Sequence, residues 1–255
     1  NGDGFPDIIS LDMLPDDEVA LKASEGDDNI QTQKLRTERF GYHYQFTRNM
    51  LFVNQPGYQF KEQALSSGIA ATDWSWSALF ADFDHDGLQD LFIANGIPKR
   101  PNNLDFINFI SSDKIQNRIN ESRLLDNEAL DLMPSGATPN RLFKGGGDLN
   151  FKDKSQTWLA SQPSVSGASA LADLDNDGDL DIVVNNINKE ATLYINQTDT
   201  TATSVQLKFE YTAKNPFGIG TKVFAYAGGK TQYKELYTAR GFQASSQPLV
   251  HFGFP

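Results

Sequence analysis

Three aspartates at alternate positions, Asp82, Asp84 and Asp86, are followed by a glycine and then by Asp90 in the stretch ADFDHDGLQD. A second stretch, ADLDNDGDLD, sets Asp173, Asp175, Asp177 and Asp181 at the same spacing around Gly178. In the pattern D-x-D-x-D-G-x-x-D the side chains at positions one, three, five and nine can converge on one hard cation. The seventh residue adds its carbonyl, and the glycine permits the sharp turn. One loop would then bind through Asp82, Asp84, Asp86, Asp90 and the Leu88 carbonyl, the other through Asp173, Asp175, Asp177, Asp181 and the Asp179 carbonyl. The opening residues NGDGFPDIIS supply the later part of a third loop, in which Asn1, Asp3 and Asp7 replace Asp84, Asp86 and Asp90, and the Phe5 carbonyl replaces that of Leu88. Without a cation the clustered carboxylates repel, each pair costing on the order of 1 kcal/mol or more at a surface dielectric. So many carboxylates suit Ca²⁺ better than the smaller, more demanding Mg²⁺. Three Ca²⁺ would carry +6 and bring the formal net charge from -11 to -5. The loop is not an EF-hand, because position twelve is Ile93 or Val184 where a bidentate glutamate would be needed. The alternative is a metal-free Asp/Gly hairpin turn, and repetition of the spacing argues against it.

The elements that must hold these loops are strands. Short apolar runs flank each loop, SALFA and DLFIAN around the first and ASALA and DIVVNN around the second. Laying NMLFVNQPGYQF over NRLFKGGGDLNF matches Leu51 with Leu142, Phe52 with Phe143 and Phe60 with Phe151 at a constant offset of 91, which also carries Asp82 onto Asp173. The repeat is therefore a hairpin followed by a loop-linked strand pair, over about 49–96 and again over about 140–196. Four short strands per unit is the composition of a propeller blade. Two stretches interrupt the repeat, at about 14–46 and 103–132. The second spaces Phe106, Ile107, Ile110, Ile115 and Ile119 as one or two amphipathic helices would. The expected fold is all-β, a partial β-propeller with helical insertions over 1–198, followed by a small β domain over 199–255.

Composition removes several classes of function. Asp and Glu number 33 against 22 Lys and Arg, which argues against nucleic-acid binding. Aspartate exceeds glutamate by 24 to 9, as loops and metal sites favour. No cysteine is present, so disulfides, thiolate metal sites and a cysteine nucleophile are excluded. No apolar run approaches the roughly 18 residues of a membrane helix, and no signal peptide is visible. Because the chain opens inside a loop motif, its natural N-terminus is expected to lie upstream.

With these residues in place the chain resembles the FG-GAP/VCBS-repeat β-propellers, whose calcium loops also occur in the integrin α-subunit head. Its tail, NPFGIGTKVFAYAGGKTQYKELYTARGFQASSQPLVHFGFP over 215–255, looks like the ASPIC/UnbV domain of the cartilage-acidic-protein family. The stretches GYHYQFTRNMLFVNQPG and TDWSWSALFADFDHDGLQDLFIANG, with the LDFINFI insertion, resemble secreted or surface-anchored members from Bacteroidota. The resemblance implies a ring of about seven blades, of which this chain would be a piece. It also implies about one Ca²⁺ per acidic loop, a location at the outer cell surface or outside the cell, and an anchoring lipid upstream rather than a membrane span.

No catalytic set stands out. His85 falls at a variable loop position expected to face solvent, His251 lies in a tail strand and His43 in an aromatic cluster, and none has a spaced partner. The run KGGGD at 144–148 overlays VNQPG and is expected to be a turn rather than a phosphate cradle. FQASSQ lacks the glycines of a nucleophile elbow. An enzymatic role for this stretch is therefore not expected. The expected function is a calcium-binding extracellular scaffold for a protein or glycan partner, as a subunit of a bacterial surface assembly. The alternatives are an accessory, non-catalytic domain of a surface enzyme and a purely structural, adhesin-like module. Phe40, Tyr42, His43, Tyr44 and Phe46 are candidate binding aromatics. Trp74 and Trp76 alternate as strand core would.

Overall fold

The computed structural model describes residues 2–57, 59–113, 115–116, 127–198 and 202–255. Asn1 and Ile119 lie outside them. The chain folds as a partial propeller of three antiparallel sheets followed by a small β domain. The first sheet pairs β1 (Ile8–Ser10) with β2 (Met50–Gln55) and β3 (Gln59–Glu62). The second has the order β4 (Ser75–Ala81), β5 (Asp90–Asn95), β8 (Arg141–Lys144) and β9 (Lys152–Asp153). Between β5 and β8 run β6 (Ile97–Lys99), β7 (Ser135–Gly136) and the helical insertion. The third joins β10 (Ser166–Ala172), β11 (Asp181–Asn186) and β12 (Thr192–Tyr194).

These sheets are out of phase with the sequence repeat. The pair β4 and β5 completes its sheet with the hairpin of the next repeat, β8 and β9, not with β2 and β3, and β1 likewise pairs with β2, while β10 and β11 are joined by β12. The alternation along β5 explains the packing. Phe92 and Ala94 face the third sheet, in a core with Leu79, Leu142, Leu171, Ile182 and Val184. Leu91 and Ile93 face the first sheet, with Leu51, Val53, Ile69, Phe143 and Phe151. Both faces of β5 are covered, so the whole strand is buried. Each fully buried side chain of this size contributes about 1.5–3 kcal/mol.

Buried asparagines lock the strand ends opposite the acidic loops. The Asn140 carboxamide oxygen accepts from the Asn95 amide at 3.0 Å, and that of Asn49, its counterpart at offset 91, accepts from the Asp12 amide at 2.9 Å. Both asparagines are 1% exposed. Asn140→Ala leaves the Asn95 amide in the interior without its acceptor, and we expect a loss of about 1–3 kcal/mol. Urea unfolding measures this, and a midpoint equal to wild type would refute it.

The insertions form short helices at Glu18–Lys22, Ile30–Lys34, Leu104–Ile110 and Asn127–Leu132. Asn103 caps the third, its side-chain oxygen accepting from the Phe106 amide at 3.0 Å, and Phe106 and Ile115 are buried. The two insertions meet where the Leu104 amide donates to the Ala23 carbonyl and the Glu25 amide to the Asn102 carbonyl. The KGGGD run connects β8 to β9 as a turn.

In the tail, β13 (Thr203–Leu207) pairs with β16 (Val250–Phe254), and β14 (Lys222–Ala227) with β15 (Lys230–Glu235). Gly228 and Gly229, both at positive φ, make the two-residue turn of the latter hairpin. Leu236, Val250 and Phe252 form its core.

Candidate metal centres

The three loops share one backbone conformation. The fourth position is left-handed in each, at Gly2 (φ 76°), His85 (57°) and Asn176 (62°), and so is the following glycine, at Gly4, Gly87 and Gly178. The fifth-position carboxylate accepts from the amide two residues on, at 2.9 Å in all three copies: Phe5 to Asp3, Leu88 to Asp86 and Asp179 to Asp177. In the two complete loops the first aspartate accepts from the loop glycine, Gly87 to Asp82 Oδ2 at 3.0 Å and Gly178 to Asp173 Oδ2 at 3.2 Å. These local bonds hold the aspartates in place before any cation arrives.

Two carboxylate triads result. Asp82, Asp84 and Asp86 bring ligand oxygens within 4.8 Å of one another, as do Asp173, Asp175 and Asp177. The ninth-position aspartates, expected to be ligands, are engaged in the backbone. Asp90 accepts from the Phe83 amide through Oδ2 and from the Gly145 amide through Oδ1, both at 2.9 Å. Asp181 repeats this with Leu174 at 2.7 Å and Asn196 at 2.8 Å, and Asp7 Oδ1 accepts from Asn54 at 2.9 Å. Each ninth aspartate therefore fastens its loop to a following strand, at Asn54 in β2, at Gly145 just past β8 and at Asn196 just past β12.

Asp82 is fully buried, and among the described residues its Oδ1 has no hydrogen-bond partner; the same holds for the Oδ1 atoms of Asp84 and Asp173. Buried carboxylate oxygens without donors are costly. Burial pushes the Asp82 carboxyl up, opposed by the Lys234 ammonium, with Asp86 and Asp84 adding repulsion. Burial likewise pushes Asp90 up to about 7 despite its two amide bonds. Each triad gathers carboxylate oxygens that could hold a hard metal ion, that of Asp82, Asp84 and Asp86 with the Lys144 ammonium also bonded to Asp84 and Asp86.

The tail domain covers the same edge. The Gln206 amide donates to Asp173 Oδ2 at 2.7 Å, and the Ser204 hydroxyl to the Gly178 carbonyl at 2.8 Å. Burial lowers the His251 imidazole to about 4, so the ring is neutral and Nε2 donates to the same carbonyl at 3.1 Å. On the other loop, Asn196 and Thr198 both donate to the Phe83 carbonyl. His85 therefore does not face solvent as expected. It is 4% exposed, with Nε2 3.3 Å from Asp179 Oδ1 and its ring 5.2 Å from that of His251. Strand β16 buries it, a contact between residues far apart in sequence. Sequence spacing also missed Lys144, whose ammonium bonds both Asp84 and Asp86, the latter at 2.7 Å.

The aromatic candidates divide. Phe40, Tyr42, Tyr44 and Phe46 are 40–66% exposed, with Tyr44 stacked on Phe46, and Arg48 lies 5.7 Å over the Phe46 ring. Trp74 is half-buried and Trp76 lies at 36% exposure, its indole N–H donating to the Gly96 carbonyl at 2.7 Å and its ring tilted against Phe242.

Comparison with protein families agrees with this architecture. The family model of the FG-GAP-like repeat matches residues 126–184, and that described as ASPIC and UnbV matches residues 211–255. The two matches fall in that order along the chain, the FG-GAP-like repeat in the propeller segment and the ASPIC/UnbV match in the tail. Strand β13 precedes the second match yet completes its sheet. No curated protein matches the chain. FG-GAP repeats are typical of extracellular proteins, and among the described residues no helix is long and apolar enough to cross a membrane.

Proposed function

We propose that this chain is part of a calcium-stabilised extracellular scaffold that binds a protein or glycan partner within a bacterial surface assembly. One observation carries the calcium reading. Two acidic loops in register each keep a first-position aspartate, Asp82 and Asp173, whose Oδ1 is buried without a donor among the described residues. Asp82, Asp84 and Asp86 would hold one Ca²⁺ and Asp173, Asp175 and Asp177 another; the cation would neutralise charge that burial otherwise penalises.

The binding role is supported by the 40–46 segment, four of whose aromatics are exposed beside Arg39 and Arg48. Flat rings offered to solvent are common anchors for proteins and sugars. The cavity of about 730 Å³ between the sheets and the tail is lined by Lys234, whose ammonium burial lowers to about 8, by His251 and by Tyr233 and Tyr237. Outside the loops its lining holds one acid, Glu235, which accepts from the Tyr233 hydroxyl at 3.0 Å.

Calcium content tests the first half. Asp86→Ala and Asp177→Ala should each remove one Ca²⁺ by elemental analysis. Chelation should lower the melting temperature on the order of 5 °C, because an ion at a hundred times its Kd stabilises by about 2.7 kcal/mol. Protein that holds no calcium and melts alike with and without EDTA refutes the reading.

A further inference from the structure

The two complete loops are not equivalent. The bonds to the ninth aspartates define matching positions at the following strands, with Asn54, Gly145 and Asn196 donating to Asp7, Asp90 and Asp181. The residue before each donor is Val53, Lys144 and Ile195. Only the middle loop faces an ammonium from that position. Lys144 Nζ bonds the third and fifth carboxylates together, Asp84 and Asp86, and rests 5.8 Å from the centre of the Trp158 ring. Around the 173–181 loop the matching position is the apolar Ile195, and the side-chain donor on the triad is the neutral Gln206 amide, which bonds the first carboxylate, Asp173. There Asp179 adds a further carboxylate beside the triad, paired with His85.

We infer that Lys144 is an affinity-setting residue of the middle loop, a built-in cation that competes with Ca²⁺ for Asp84 and Asp86. This rests on the calcium reading of the loops. Ca²⁺ takes its oxygens at about 2.3–2.6 Å, and an ammonium bonded to two of the same carboxylates would lie within a few ångströms of it. The ion enters once Lys144 swings away. Its side chain, 30% exposed on a flexible four-carbon stem, can do so without moving the backbone. The trio's charge falls from three negatives to two when the lysine is in place. The loop at 173–181 thus fills at low calcium, while the loop at 82–90 stays closed by its own lysine until calcium rises.

Calorimetric titration with CaCl₂ of the whole chain tests this in two backgrounds. With Asp177→Ala silencing the later loop, Lys144→Met should tighten the remaining calcium binding by about tenfold or more, and Lys144→Arg should leave it weak. With Asp86→Ala removing the middle site, Lys144→Met should change nothing. Melting curves in EDTA establish that each variant folds. Calcium binding of equal strength before and after the Lys144→Met substitution, in the Asp177→Ala background, overturns the inference and leaves the calcium reading standing. Absence of calcium binding in the wild-type chain and in Lys144→Met alike overturns both.

Discussion

Asp90→Ala is expected to destabilise the protein by about 2–5 kcal/mol even in the complete absence of metal. The carboxylate is fully buried, and both of its oxygens accept backbone amides, from Phe83 inside the loop and from Gly145 at the end of β8. Alanine leaves two donors without acceptors, each worth about 1–3 kcal/mol when buried. The bond to Gly145 spans the gap between the loop and the strand that completes the second sheet, so its loss should loosen β8 in particular. The contact is close: a Cβ on Gly145 would sit 2.1 Å from the Gln89 carbonyl oxygen. Asp90→Asn keeps one oxygen acceptor and should cost less than alanine. Urea unfolding in EDTA separates this role from ligation. A chelated Asp90→Ala protein within about 1 kcal/mol of chelated wild type would show that Asp90 matters through metal alone. Asp181→Ala should behave in the same way in the third sheet, through Leu174 and Asn196.

Gly253→Ala is the second large effect, and it acts through the tail. A Cβ on Gly253 would lie 2.3 Å from Asp82 Oδ2 and 2.5 Å from the His85 Cα, and the latter is backbone that cannot rotate aside. Overpacking of this kind costs about 1–3 kcal/mol, more where backbone is the obstacle. We expect β16 to lift from the 82–90 loop, with three readouts moving together: a lower melting temperature, faster protease cleavage within 203–255, and weaker calcium binding as Asp82 is displaced. Gly167→Ala is the control, because a Cβ there meets nothing within 4 Å and the backbone needs no positive φ. If Gly253→Ala melts and digests like Gly167→Ala, the tail does not depend on that contact.

What is legible in the sequence is local. The alternating aspartates, the glycine that follows them and the flanking apolar runs depend on near neighbours, and the loops, the strands around them and the 91-residue offset all reappear in the folded chain. The β1 strand after the half-loop also follows from its match to DLFIAN. The positions that escape depend on contacts between distant residues. His85 reads as a solvent-facing spacer because nothing nearby in sequence shows that β16 will cover it. Lys144 reads as an ordinary strand end, although it lies 58 and 60 residues from the carboxylates it bonds. The amides that the ninth aspartates accept, from Asn54, Gly145 and Asn196, come from residues in or just past strands outside the loop, which spacing within the loop does not encode.

The offset between repeat and sheet bears on how the chain must be made. As synthesis proceeds, β4 and β5 emerge together and can pair at once, but the strand that covers the open side of β5 begins only at Arg141, beyond the insertion that follows Asn95. Leu91 and Ile93 must wait for Phe143 while that edge is exposed to any passing strand. In order of synthesis, β2 closes on β1 and β8 closes on β5, so a later strand finishes the sheet that an earlier one began.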